Sequence, residues 1–207
     1  AESAAAACKA LSLDPGDGEA AYLATRACNW LTYRDALPKW LEGDCLTFGE
    51  IAVEVDPNAA RHHYQLAIAI ALQVRSASVK SALLNIGWLV SVLDRVIELD
   101  EGLDHGGALR TLGLLYLRAP PWPTSVGDEE RALKLLQRAA TQYDEHPLNH
   151  LFYAEALLVD EREAEAREAL ARFHERNVAE RYYWRAALWT ADAAALEKRI
   201  RDVEGEL

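Results

Sequence analysis

Residues 147–173 read PLNHLFYAEALLVDEREAEAREALARF, and the spacing of the small and apolar residues in this stretch decides the fold. Ala154 and Leu157 fall on one helical stripe; Ala166, Leu170 and Phe173 fall on a second. Nothing is inserted between the two stripes, so they read as the facing sides of a helical hairpin. Small residues on both stripes let the two backbones approach closely.

Working outward, four short phrases close helical stretches: Leu13-Asp14-Pro15, Val55-Asp56-Pro57, Leu99-Asp100-Glu101 and Tyr143-Asp144-Glu145-His146-Pro147. Their aspartates lie 42, 44 and 44 positions apart, longer than the roughly 34 residues of a tetratricopeptide unit. Each copy therefore carries an insert. The pattern is similar to that unit, and the predicted fold is an all-α, tetratricopeptide-like α-solenoid. It has about four helical hairpins, at residues 17–57, 58–101, 105–144 and 147–176, inside one helical-repeat domain spanning 1–207.

In the third copy Leu112, Gly113 and Tyr116 face Ala132, Leu136 and Ala139, with Gly113 and Ala132 as the close-packed pair. Between them Ala119-Pro120-Pro121-Trp122-Pro123-Thr124-Ser125 adds about seven residues, and its prolines forbid a continued helix. Asp128 is the expected cap of the helix that follows. In the second copy Leu66, Ala67 and Ile70 face Leu89, Leu93 and Val96, on a helix beginning near Ser78. The first copy matches least well, with Leu23, Ala27 and Trp30 on one helix and Cys45 and Ala52 on the other. Flanking helices are expected before Asp14 and over 178–204, where Tyr182, Tyr183, Trp184 and Trp189 either cap the last hairpin or form a docking surface. Glu197 to Leu207 alternates in charge and is expected to fray.

Alanine and leucine dominate, 51% of residues are apolar, and 33 acidic against 22 basic side chains leave a net charge of −11. That charge repels a phosphate backbone and argues against nucleic acid as a partner. No apolar run approaches the 18 or so residues of a membrane span, so the chain as given reads as soluble. The sequence lacks Met, and a signal peptide or lipid anchor ahead of Ala1 stays open. Cys8, Cys28 and Cys45 have no metal-ligand spacing, and an odd count leaves at least one unpaired.

A search for chemistry finds little. His62 and His63 are adjacent and point about 100° apart on a helix, and His63 falls at a packing position. His146 and His150 have helical metal spacing, yet Pro147 sits between them at a helix start and no third ligand follows. Gly106-Gly107 lacks the strand and the remaining glycine of a dinucleotide site and reads as a tight turn into a helix. Glu129/Glu130 and Glu163/Glu165 read as solvated helix faces. No enzyme, cofactor or metal is implied.

The first helices of such hairpins line a concave groove, and positions one place beyond their packing stripe point into it. Those include Cys28 and Leu31, Tyr64 and Ile68, Arg110, Leu114 and Leu117, and Leu151, Glu155 and Leu158. The groove so read is mostly apolar and needs a cover: the chain's own end helix, another protein's helix, or an apolar small molecule. A second candidate is the loop Pro120-Pro121-Trp122-Pro123, which either presents Trp122 to a partner or folds it back onto the helices.

The run His105-Gly106-Gly107-Ala108-Leu109-Arg110-Thr111-Leu112-Gly113-Leu114-Leu115-Tyr116 continues in Ala119-Pro120, Pro123, Gly127-Asp128, Ala132-Leu133 and Pro147-Leu148-Asn149. It ends on Ala154-Glu155-Ala156-Leu157-Leu158. Together these resemble the T component of tetratricopeptide-associated TRAP transporters, specifically over about residues 95–175 and more loosely before. The resemblance implies a periplasmic or envelope-associated, lipoprotein-like accessory subunit. Its partner would be a substrate-binding protein or another envelope subunit, and self-association into an oligomer and an apolar small-molecule ligand are further implications. Membrane association would run through an N-terminal anchor or a partner. Cys8 lies inside a helix-like stretch and is not a lipidation cysteine. An oxidising compartment would further allow Cys28 and Cys45, on facing helices of the first hairpin, to pair.

Overall fold

The computed structural model describes residues 2–41, 43–76, 78–176 and 183–205. Among these there are ten α-helices, one short 3-10 helix at Lys39–Leu41, and no strand. The helices are α1 (Glu2–Leu13), α2 (Gly18–Tyr33), α3 (Asp44–Val55), α4 (Ala60–Ser76) and α5 (Val79–Asp100), then α6 (Gly107–Arg118), α7 (Glu129–Gln142), α8 (Pro147–Val159), α9 (Glu163–Glu175) and α10 (Tyr183–Gly205). This is an all-α solenoid fold. The chain forms two compact units, residues 1–103 and 104–207.

Helix starts follow local chemistry. Asp17, Ser78 and Asp128 each accept a bond from the backbone N–H three residues on, at 2.9, 3.4 and 2.9 Å, supplying a partner to an otherwise orphaned donor of the first turn. Pro147 opens α8, where its missing N–H costs nothing. Gly106 enters α6 with φ of +74°, and a side chain there would strike the Tyr143 ring.

In the first unit α1 packs on α2, α2 on α3, α3 on α4, and α4 on both α2 and α5. Part of the core comprises Ala7, Leu11, Ala20, Ala21, Ala24 and Ala52, continued by Cys28, Leu31 and Leu41, and α4 and α5 bury Leu66, Ile70, Leu89, Leu93 and Val96. Here the structure corrects the sequence reading. Leu23 and Trp30, expected to pack, are 43% and 41% exposed. The buried stripe of α2 lies one residue further round, because small alanines do the packing and leave the large side chains outside.

In the second unit α6 pairs with α7, α7 with α8, α8 with α9, and α6 also meets α8. A Cβ on Gly113 would lie 2.6 Å from Leu136 Cγ and 3.4 Å from the Ala132 carbonyl. Glycine is thus what lets α7 sit against α6. The core runs through Ala154, Leu157, Ala166, Leu170 and Phe173 into Trp189, Ala193, Leu196 and Ile200 of α10. Trp189 is buried, with its ring 5.9 Å from that of His146. The stretch expected to fray stays helical to Gly205, because burying Ile200 contributes about 2 kcal/mol. Val178 and Tyr182 lie outside the described residues, as do the side chains of Tyr183 and Trp184.

Each unit uses one polar device where a hairpin follows another. His62 Nδ1–H donates to the Ala52 carbonyl at the end of α3, at 2.9 Å, and His63 Nε2–H donates to Pro57 O at 2.9 Å. In the second unit Asn149 Nδ2 donates to the Ala139 and Tyr143 carbonyls at the end of α7, at 3.2 and 2.6 Å, and His150 Nε2–H donates to Asp144 O at 2.7 Å.

Candidate interaction site

The helix faces expected to form the groove are more closed than the sequence suggests. Cys28 is fully buried in a disulfide with Cys45, at a Cα–Cα distance of 5.6 Å. Leu31 lies in the same cluster, and Tyr64 is buried on α4. Leu151 and Leu158 belong to the core that α10 completes. These residues are corrected from groove lining to packing. Helices α2, α4 and α8 are each gripped by the second helix of their own hairpin and by at least one helix before them, so their apolar arc is wider than one stripe. Ile68, Leu114, Leu117 and Glu155 keep partial exposure.

Arg110 is also buried, for a structural reason. Its Nη1 donates to Asn149 Oδ1 at 2.8 Å and its Nη2 to Asp104 Oδ2 at 2.8 Å, while Asn149 Nδ2 also donates to His105 O at 3.0 Å. This network ties the start of α6 to the start of α8. A buried guanidinium needs such partners, because an unpaired charge is expensive to bury. Nearby, Arg118 bridges α6 to α8 by paired bonds of 3.0 and 2.7 Å to Glu155, and its guanidinium lies 6.0 Å from the Phe152 ring centre. With Leu114 and Leu117 on the same helix, this face of the second unit combines apolar and charged groups.

Residues 119–128 form a braced loop. Gly127 N–H donates to Pro120 O at 2.9 Å, Asp128 N–H to Tyr116 O at 3.0 Å, and Thr124 N–H to Pro121 O at 3.1 Å. No Cβ fits at Gly127, where it would strike the Ala119 carbonyl. Pro120, Pro121 and Pro123 are exposed, and Trp122 at the tip is 84% exposed. Of the two alternatives left by the sequence, the indole stands in solvent and does not fold back. Trp40, in the α2–α3 connection, is 57% exposed and was not singled out by sequence reasoning. Pro38 two residues before it is the same proline-then-tryptophan signal and would have flagged it.

The four buried histidines, His62, His63, His146 and His150, bond backbone groups at helix junctions. His146 accepts from Leu148 N–H at 3.3 Å as the cap of α8, and His150 holds the α7–α8 connection. Among the described residues no group of three or more His, Cys, Asp or Glu is placed to hold a metal ion, and no helix is long and apolar enough to cross a membrane. Cys8 is the free cysteine, half-buried beside the Cys28–Cys45 cluster. Burial, reinforced by Asp44, pushes its thiol pKa up, so it is a poor nucleophile toward the neighbouring disulfide.

No protein-family model matches the sequence, and no curated protein matches it. Solved structures do. TTC0263, a thermophilic TPR protein of Thermus thermophilus, superposes with a TM-score of 0.67 at 20% identity, covering 93% of this chain and 88% of that one. YrrB, described as a TPR protein with an unusual peptide-binding site, superposes with a TM-score of 0.57 at 19% identity, over 98% and 94% of the two chains. The fold is therefore that of the tetratricopeptide-repeat proteins.

Proposed function

We propose that this chain is a non-catalytic protein–protein interaction module of the cell envelope, acting as the repeat subunit of a TRAP-type solute uptake system. The observation that carries the interaction reading is Trp122. A large indole held in water on a proline-braced loop is costly to solvate and loses little entropy on docking, the properties of an interface anchor. The partially exposed Leu114, Leu117 and Glu155 give the second unit a further contact face, and Ile68 gives the first unit one. A structural neighbour with a peptide-binding site accords with a polypeptide ligand.

The envelope reading is supported by the Cys28–Cys45 disulfide, which persists in oxidising compartments, and by the resemblance of about residues 95–175 to the TRAP-associated family. A carrier holding an apolar molecule in an open trough fits less well, because Cys28, Leu31, Tyr64, Leu151 and Leu158 are buried. The test is recovery of the chain from its native envelope in mild detergent, with bound proteins identified by mass spectrometry. A TRAP-type solute-binding protein at stoichiometric amount, lost with Trp122→Ala, is the expected result. Stoichiometric recovery within a different complex would retire the transport role, and equal recovery by the variant would retire the loop.

A further inference from the structure

The Cys28–Cys45 bridge closes a segment of the first unit whose surface is unusual for so acidic a chain. The segment holds the end of α2, the turn after it and the 3-10 helix at Lys39–Leu41. Leu31 and Leu41 anchor it in the core. Ala36 N–H donates to Leu31 O and Leu41 N–H to Pro38 O, both at 2.9 Å. Bridge, anchors and bonds brace the segment from within, and it turns Trp30, Tyr33 and Trp40 outward.

Cations accompany these rings. The Arg34 guanidinium lies 5.5 Å from the Trp30 ring centre, and Arg75, in the last turn of α4, lies 5.8 Å from that of Tyr33. Lys39 is the exposed neighbour of Trp40 in the chain. Elsewhere in the first unit Arg61 and Arg95 are held by Glu19 and Glu98, whereas among the described residues no carboxylate pairs with Arg34, Lys39 or Arg75. The described carboxylates of the segment are Asp35, at the turn, and Asp44, which acts on Cys8 of α1. A guanidinium stacked on a ring keeps its N–H edge open, and that edge can grip a carboxylate through two parallel bonds. The surface therefore offers apolar contact and carboxylate recognition together.

We propose that this disulfide-braced surface binds an acidic peptide segment of a partner protein, in which glutamates or aspartates are interspersed with apolar side chains. The cations without carboxylate partners argue for the acidic residues. The exposed rings, large and stiff, argue for the apolar side chains between them. The bridge favours recognition, because a surface already braced loses little freedom on binding. The site belongs to the first unit and does not involve the Trp122 loop, so it extends the interaction reading to a second surface.

The test uses two fluorescent peptides of about 12 residues. Both repeat a phenylalanine, a charged residue and a glycine; the charged residue is glutamate in one and lysine in the other. The net charge of −11 favours the lysine peptide, so a preference for glutamate has to come from a local surface. Anisotropy titrations against the oxidised full chain should show the glutamate peptide binding at least about tenfold more tightly. A double Arg34→Glu, Arg75→Glu variant should reverse the preference, and a double Trp30→Ala, Trp40→Ala variant should weaken glutamate-peptide binding at least about fivefold. Cys28→Ala with Cys45→Ala should weaken it as well, and the exposed-residue variants keep the test decisive if that chain does not fold. Trp122→Ala should bind unchanged. Equal affinities for the two peptides, tighter binding of the lysine peptide, or no saturation up to about 1 mM would overturn the proposal. So would binding lost in Trp122→Ala yet kept in the double arginine variant, which would leave the loop reading standing and remove this one. Cosedimentation with phosphatidylglycerol vesicles that depends on Trp30 and Trp40, without any glutamate preference, would overturn it in favour of a membrane surface.

Discussion

The α3–α4 and α7–α8 junctions are built on the same plan with different residues. In both, the first residue of an adjacent pair reaches ten residues back, to a carbonyl in the last turn of the preceding helix. The second reaches six residues back, into the connection. The first unit uses His62 and His63 there; the second uses Asn149 and His150. Asn149 is fully employed, since its two amide protons serve three carbonyls and its oxygen accepts from Arg110. His62 makes one bond, and its Nε2 is buried with no partner. The plan thus needs a donor at this position, and the second unit has built a network on it that the first lacks. The first unit carries the Cys28–Cys45 bridge instead.

The comparison breaks most sharply at Asn149. Asn149→Ala strips donors from buried carbonyls and takes a partner from Arg110, and should cost about 3–4 kcal/mol. Urea unfolding measures the loss, and hydrogen exchange should place it in α6 to α8. Next in size is the disulfide. Cys28 and Cys45 are 17 residues apart, and replacing both with alanine should cost about 3 kcal/mol through the freed chain entropy of the unfolded state. Exchange should then accelerate in α2 and α3 and remain unchanged in α6 to α9.

A smaller effect separates the junctions by pH. Burial holds the His150 pKa below its ordinary 6.5, outweighing the bond to Asp144 O. The unfolded chain therefore binds the proton more readily than the folded one, and stability falls as pH drops from about 6.5 toward the depressed folded value. His150→Gln keeps a donor and should flatten that part of the pH–stability curve in thermal melts. The smallest effect is expected at His62. His62→Phe loses one bond but also removes an unpaired buried nitrogen, and should change stability by less than about 1 kcal/mol. A loss at His62 as large as that at Asn149 would mean that the two junctions are equally dependent on this position.

The helical hairpins were legible because leucine and alanine repeat at helical spacing, and because Ser78 and Asp128 mark helix starts by their own chemistry. The register of α2 was not, because a helix packed through Ala20, Ala21 and Ala24 gives little contrast with Leu23 and Trp30 on its outside. Arg110 looked like a groove residue because its partners, Asp104 and Asn149, are chosen by tertiary structure. Ile200 sits among charges in sequence, and its burial in the core formed with α8 and α9 is a tertiary contact that the local pattern does not reveal. The prolines around Trp122 were visible as a break, whereas the orientation of the indole depended on hydrogen bonds between the loop's two ends.

The proposed role is tested most directly by placing a photo-crosslinking amino acid at position 122 and, as a control, at position 84 of the chain in its intact source cells. Leu84 is 76% exposed on α5, outside any braced loop. The account predicts a crosslink from position 122 to a TRAP-type solute-binding protein and none from position 84. Crosslinking to that protein from 84 but not from 122, or no protein captured at 122, would contradict it.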